Sequence, residues 1–96
     1  MIQRFCFVKL LDDEVGRRAE LAEKLRAELL AAGADAVVGL PADDSAARWD
    51  ISIVITAASL DAWNALSRLP AMTGVFDDLA EHAEVVKAWT FDAIEV

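Results

Sequence analysis

Ninety-six residues, 56% of them hydrophobic, carry seventeen acidic against nine basic side chains and a formal net charge of −8. With no Lys/Arg cluster, that balance argues against a nucleic-acid binder, which needs a basic face to displace counterions, and against docking on anionic membranes. The one cysteine, Cys6, forms no internal disulfide and no Cys-rich metal site; without a signal-like segment or an apolar run of membrane-spanning length, the expectation is one cytoplasmic domain over residues 1–96, without metal or cofactor.

The first segment, Ile2–Leu10, reads as a strand that is apolar on two faces. Ile2, Cys6, Val8 and Leu10 fall on one side, Phe5 and Phe7 on the other. Asp12, Asp13 and Glu14 then favour a helix N-terminus by capping and by the macrodipole. Val15, Ala19, Ala22, Leu25, Leu29 and Ala32 recur at helical spacing up to Gly33, which ends the helix. Glu14–Arg18 and Glu20–Lys24 are i,i+4 pairs on it.

Ala36–Leu40 is a short β-type run closed by Gly39 and Pro41, and the polar loop from Pro41 to Arg48 follows. Trp49–Thr56 alternates cleanly, with Trp49, Ile51, Ile53 and Ile55 on one face and Asp50, Ser52, Val54 and Thr56 on the other. Ser59 caps a second helix whose inner side holds Leu60, Trp63, Leu66 and Leu69 and which Pro70 stops. Thr73 caps a third helix that buries Val75, Phe76, Leu79 and Ala83 and turns Asp77, Asp78, Glu81 and Glu84 outward. Val85–Ile94 is a last strand, again apolar on both sides: Val86, Ala88 and Ile94 against Trp89 and Phe91.

The order β-α-β-β-α-α-β is the ferredoxin-like α+β arrangement: a four-stranded antiparallel sheet with helices on one face. The other face is apolar and needs cover, and a second copy of the chain provides it. Phe5, Phe7, Val54, Trp89 and Phe91 are the expected interface residues.

MIQRFCFVKL, WDISIVITAASLDAWNAL, LPAMTGVFDDL and VVKAWTFD, taken in order, resemble the stress-responsive A/B barrel domain of the dimeric α+β barrel superfamily. The resemblance spans essentially the whole chain and implies a homodimer in which two sheets face each other as a barrel. Cyclases of that family use a strand histidine, an H-P-A-H segment and a helix tyrosine. Those positions fall here on Arg4, on Leu69-Pro70-Ala71-Met72 and near Leu66, so none is matched. The chain therefore lacks the side chains for that proton transfer.

The resemblance places Arg4 under the helices, where related proteins hold a pocket. Arg4, Cys6, Val8, Leu25, Leu66, Met72, Phe76, Ala88 and Thr90 are the expected lining. A guanidinium kept from water needs an anion. Either a small hydrophobic ligand with an anionic group supplies it, or an acid such as Asp35 or Glu84 does, or Arg4 reaches solvent. Cys6 reads as a small buried hydrophobe. His82, the only histidine, reads as solvent-facing among acids, and the acids of the third helix read as a solvated face. Trp49, Trp63 and Trp89 read as core or interface residues. The leading expectation is a homodimeric binding or protective module. The alternatives are a cofactor-free monooxygenase, isomerase or cyclase acting on a small aromatic or polyketide-like substrate, and an effector-binding oligomer.

Overall fold

The computed structural model describes residues 1–94. Its elements are β1 (Ile2–Leu10), α1 (Arg18–Ala31), β2 (Asp35–Gly39), β3 (Ile51–Ala57), α2 (Leu60–Ser67), α3 (Pro70–Ala80) and β4 (Ala83–Asp92), with 3-10 turns over Asp12–Arg17 and Asp44–Ala46. The sheet is four-stranded in the order β2-β3-β1-β4. All its pairings are antiparallel. Both central strands, β1 and β3, supply the middle of the core.

The register sorts the side chains by face. Cys6 is opposite Ile53 and Ala88, and Val8 is opposite Ile51 and Val86, so these residues lie under the helices. Val8, Leu10, Ile51, Ile53 and Ile55 are fully buried there with Leu29 and Met72. Helix α1 contributes Leu21, Ala22, Leu25 and Leu29, and α3 contributes Met72, Val75 and Leu79. Burying a Leu or Ile side chain of this kind is worth about 1.5–3 kcal/mol, so this one layer dominates the fold's stability. Gly33, at φ +87°, makes the left-handed turn that ends α1 and returns the chain to the sheet.

Several sequence expectations shift. The acids after β1 sit in a 3-10 turn, with no side-chain cap. Its tighter winding places Glu14 over Arg17, three residues on, at 3.1 Å. Arg18 is thereby released from Glu14 and lies 3.5 Å from Asp50. Lys24 pairs with Glu28 and Asp78 in place of Glu20. Helix α3 begins at Pro70, whose fixed φ suits a first helical position. Thr73 is thus inside the helix, and its hydroxyl donates to the Pro70 carbonyl at 3.1 Å. Leu60, the first residue of α2, and Leu69, between α2 and α3, are exposed. Ala83 is the first residue of β4, not a helix residue, and Ile94 lies beyond that strand, 95% exposed.

The largest departure is at residues 49 and 50. The loop reverses through Ala47, at φ +54°, immediately before β3. This breaks the alternation expected of Trp49–Thr56. Trp49 leaves the isoleucine face, and its ring packs 5.9 Å from Phe7 on the opposite side of the sheet. Asp50 turns inward and is buried, 7% exposed. One of its oxygens accepts the Leu10 backbone N–H at 2.9 Å. Its own N–H donates to the Val8 carbonyl at 2.8 Å, extending the β1–β3 ladder by one link.

Candidate functional site

Two surfaces stand out, one on each side of the sheet. The first is a groove of about 350 Å³ between the sheet and helices α2 and α3. Strand β1 contributes Arg4 and Cys6 to its floor, and β4 contributes Val86 and Ala88, because these positions share the helix-covered side by register. Trp63 and Ser67, four apart on α2, form one wall. Met72, Thr73, Phe76 and Asp77 of α3 form the other. Most of this lining is apolar.

Arg4 is half-buried at the groove. One guanidinium nitrogen donates to Thr90 Oγ1 at 2.8 Å. The guanidinium carbon lies 5.6 Å from the centre of the Trp63 ring, a cation–π arrangement. Among the described residues no carboxylate pairs with it. The acids expected as partners lie elsewhere: Asp35 is on the opposite face, opposite Thr56, and Glu84 is held by Lys9 at 3.3 Å.

The neighbouring hydroxyls cannot replace Arg4 as anion donors. Ser67 Oγ donates to the Asn64 carbonyl at 2.9 Å, and Thr73 Oγ1 donates to that of Pro70. Burial pushes the Cys6 thiol up, and the nearby Arg4 charge only partly opposes this. A thiol held protonated in this way is a poor nucleophile. The groove can therefore bind and orient an anion against an apolar wall. It offers no buried general base.

Of the nine residues expected around a pocket, Arg4, Cys6, Met72, Phe76 and Ala88 meet at this groove. Val8 and Leu25 belong to the closed core, and Leu66 packs half-buried against it. Thr90 holds Arg4 from the side without lining the groove. Trp63, Ser67, Thr73, Asp77 and Val86 line it without having been anticipated. The spacings Trp63–Ser67 and Thr73–Asp77 carried the signal, since residues four apart share a helix face.

His82 is not solvent-facing. The chain turns sharply between α3 and β4, and the His82 carbonyl accepts the Leu11 N–H at 3.0 Å. Its ring Nδ1 then lies 3.1 Å from Glu14 Oε1, with both side chains largely covered. Asp78 is also committed: the Lys24 ammonium, 2.9 Å away, holds its carboxyl below the usual range. Among the described residues no cluster of three or more His, Cys, Asp or Glu side chains is arranged to hold a metal ion, and no helix is long and apolar enough to cross a membrane.

The second surface is the helix-free side of the sheet. Phe5 meets Phe91 edge-on at 5.7 Å, and Phe7 lies 6.0 Å from Trp89. Gln3, Phe5, Phe7, Trp89, Phe91 and Asp92 border an open hollow of about 580 Å³. Trp89 is 46%, Phe91 55% and Val37 69% exposed. A contiguous patch of this kind is a mark of an interaction surface.

No protein-family model matches the sequence, and no curated protein does either. Solved structures do match. The chain is similar to a dimeric ferredoxin-like protein of unknown function from Bacteroides fragilis, with 19% identity, a TM-score of 0.77, and 96% of this chain and 95% of that one covered. A dimeric ferredoxin-like protein of unknown function from Jannaschia shares 12% identity at a TM-score of 0.76, over 96% and 98% of the two chains. A putative antibiotic biosynthesis monooxygenase from Deinococcus radiodurans shares 16% identity at a TM-score of 0.73, over 100% and 95%. At these identities the likeness speaks to the fold. It is a ferredoxin-like fold.

Proposed function

We propose that this protein is a homodimeric binding module of the stress-responsive A/B barrel type, and that each protomer takes up a small hydrophobic molecule bearing one anionic group. The single observation that carries this reading is Arg4. It is a half-buried guanidinium on an apolar groove, braced by Thr90 and Trp63, with no carboxylate partner among the described residues. A permanent charge so placed favours an anion that brings its own apolar body. Dimerisation is supported by the aromatic helix-free face and by the dimeric proteins that share the fold.

The test uses naphthalene-2-carboxylate and the matching neutral carboxamide, titrated against wild type and Arg4→Met. Wild type should bind the carboxylate at least about tenfold more tightly, since a charge-assisted hydrogen bond is worth roughly 1.5–3 kcal/mol. Arg4→Met should abolish that preference. Equal affinity for the two compounds in wild type would overturn the reading.

A second reading places chemistry in the same groove, and the putative monooxygenase that shares the fold favours it. In a cofactor-free oxygenation or isomerisation, Arg4 would stabilise a developing enolate while the walls orient and desolvate the substrate. Turnover of phenolic substrates by wild type and Arg4→Ala separates the two. Equal rates remove Arg4 from any mechanism.

A further inference from the structure

The groove carries a second charge. Asp77 lines its α3 wall, while Arg4 belongs to its floor. Neither has an ion-pair partner among the described residues, and the two do not reach each other. Arg4 turns to Thr90 and Trp63. The acids nearest Asp77 along the chain do not share its position. Asp78 is held by Lys24 at 2.9 Å, Glu84 by Lys9 at 3.3 Å, and Glu81 is exposed outside the groove.

The topology sets the two charges toward opposite ends. Helix α3 stops at Ala80 and the chain enters β4 at Ala83, so Asp77 stands toward the start of that strand. Arg4 lies opposite Thr90, four residues past Val86. At about 3.4 Å per residue, Val86 and Thr90 are about 14 Å apart along β4. Between the ends the lining is apolar, with Cys6, Ala88, Met72 and Phe76. An uncharged body filling the groove from Arg4 would strip water from the Asp77 carboxylate and return nothing for it. An ammonium at that end gives the carboxylate a partner, and Phe76, next to Asp77 on the same wall, offers it an aromatic face. The field of the whole chain favours the same ligand. At a net charge of −8 it repels a simple anion, whereas a zwitterion approaches without net charge.

We propose that the ligand is a zwitterion: an apolar, ring-bearing body with an anionic group on Arg4 and an ammonium group facing Asp77. The inference rests on the anion-binding reading above and adds the second charge that the ligand carries. Arg4 and the apolar lining supply most of the affinity, and Asp77 selects among acids of one size.

The experiment titrates wild type, Asp77→Asn and Glu81→Gln near neutral pH and about 10 mM salt, where the screening length is about 30 Å. The probes are 6-(aminomethyl)naphthalene-2-carboxylate and its hydroxymethyl counterpart, which has the same size but no cation. Asp77 is exposed, so Asn at this position leaves the packed core untouched. Wild type should bind the amine at least about twofold more tightly than the alcohol, the scale of a solvent-exposed ion pair. Asp77→Asn should remove that preference. Glu81→Gln, which deletes an equal charge outside the groove, should keep it. A wild-type preference below about twofold overturns the proposal. So does one that survives in Asp77→Asn, or one lost equally in Glu81→Gln. Naphthalene-2-carboxylate and its carboxamide, titrated alongside, separate the two levels of the argument. If wild type prefers the carboxylate but not the amine, the zwitterion falls and the anion site stands. If it binds neither carboxylate nor carboxamide, or both equally, the anion site itself is removed.

Discussion

Asp50 gives the sharpest test of how the sheet is anchored. It is a buried acid at the mouth of β3, and its carboxylate accepts the Leu10 N–H at 2.9 Å. Replacing it with Ala removes that acceptor and strands the N–H of Leu10, a residue that is itself fully buried. A hydrogen bond to a charged group contributes about 1.5–3 kcal/mol, and a buried donor left unpaired costs about 1–3 kcal/mol. The two figures overlap, so Asp50→Ala should destabilise by about 2–4 kcal/mol. Asp50→Asn keeps an oxygen facing Leu10 and loses only the charge, which should cost about 1 kcal/mol. The Arg18 contact is longer, at 3.5 Å, and the Arg18 side chain is 44% exposed. Arg18→Ala should therefore cost under about 0.5 kcal/mol. Urea unfolding at one fixed protein concentration, extrapolated linearly, resolves these differences. If Arg18→Ala is as damaging as Asp50→Ala, the ion pair carries the effect and the backbone argument is wrong. A cost below about 0.5 kcal/mol for Asp50→Ala refutes it outright.

Three further outcomes follow from the geometry. Trp89→Asp or Phe7→Asp should turn dimer into monomer or unfold the chain, since each puts an unpaired charge into an apolar contact; a variant still dimeric at low micromolar concentration contradicts the assignment of faces. Cys6, buried and with its thiol pushed up by desolvation, should react with iodoacetamide at pH 8 at least about a hundredfold more slowly in the native protein than in urea; comparable rates would show that the groove floor is open. Lys24 holds the Asp78 carboxyl below its usual range, so the stabilisation from that carboxylate is complete above the ordinary Asp range and is lost as pH falls through the depressed value. Lys24→Met should therefore lose less stability than wild type as pH drops below about 4; parallel acid limbs for the two proteins would refute the coupling.

The two-faced strands were legible in the sequence because a side-chain period of two is a local property. Once Ile2–Leu10 is extended, Cys6 and Val8 must face away from Phe5 and Phe7, whatever the rest of the chain does. The same holds for the isoleucines of β3 and for the heptad-like spacing of Leu25 and Leu29. Trp49 and Asp50 defeated that reasoning. Their directions depend on how the preceding loop turns at Ala47, and a positive φ at an alanine leaves no mark in the pattern.

The candidate groove was half legible. Arg4, Cys6 and Ala88 follow from strand alternation, and Val86 lies on the same strand face as Ala88. Val8 on β1 and Leu25 on α1 were expected at the groove, yet both are buried in the core cluster that α1 forms with the sheet. Only the packing of α2 at one end of the sheet and α1 at the other determines where the cover is incomplete. His82 tells the same story: its neighbours in sequence are acids and suggest solvent, while its neighbour in space is Glu14, 68 residues away.

What the sequence determined by itself is the set of elements, their order and the two-sided character of the sheet, since these depend on periods of two and of about 3.6 residues and on turn residues close by. What the tertiary structure decided is which gaps remain between packed elements and which charges end up without partners, since both depend on the positions of groups far apart along the chain. The unpaired Arg4 on its apolar groove belongs to that second kind.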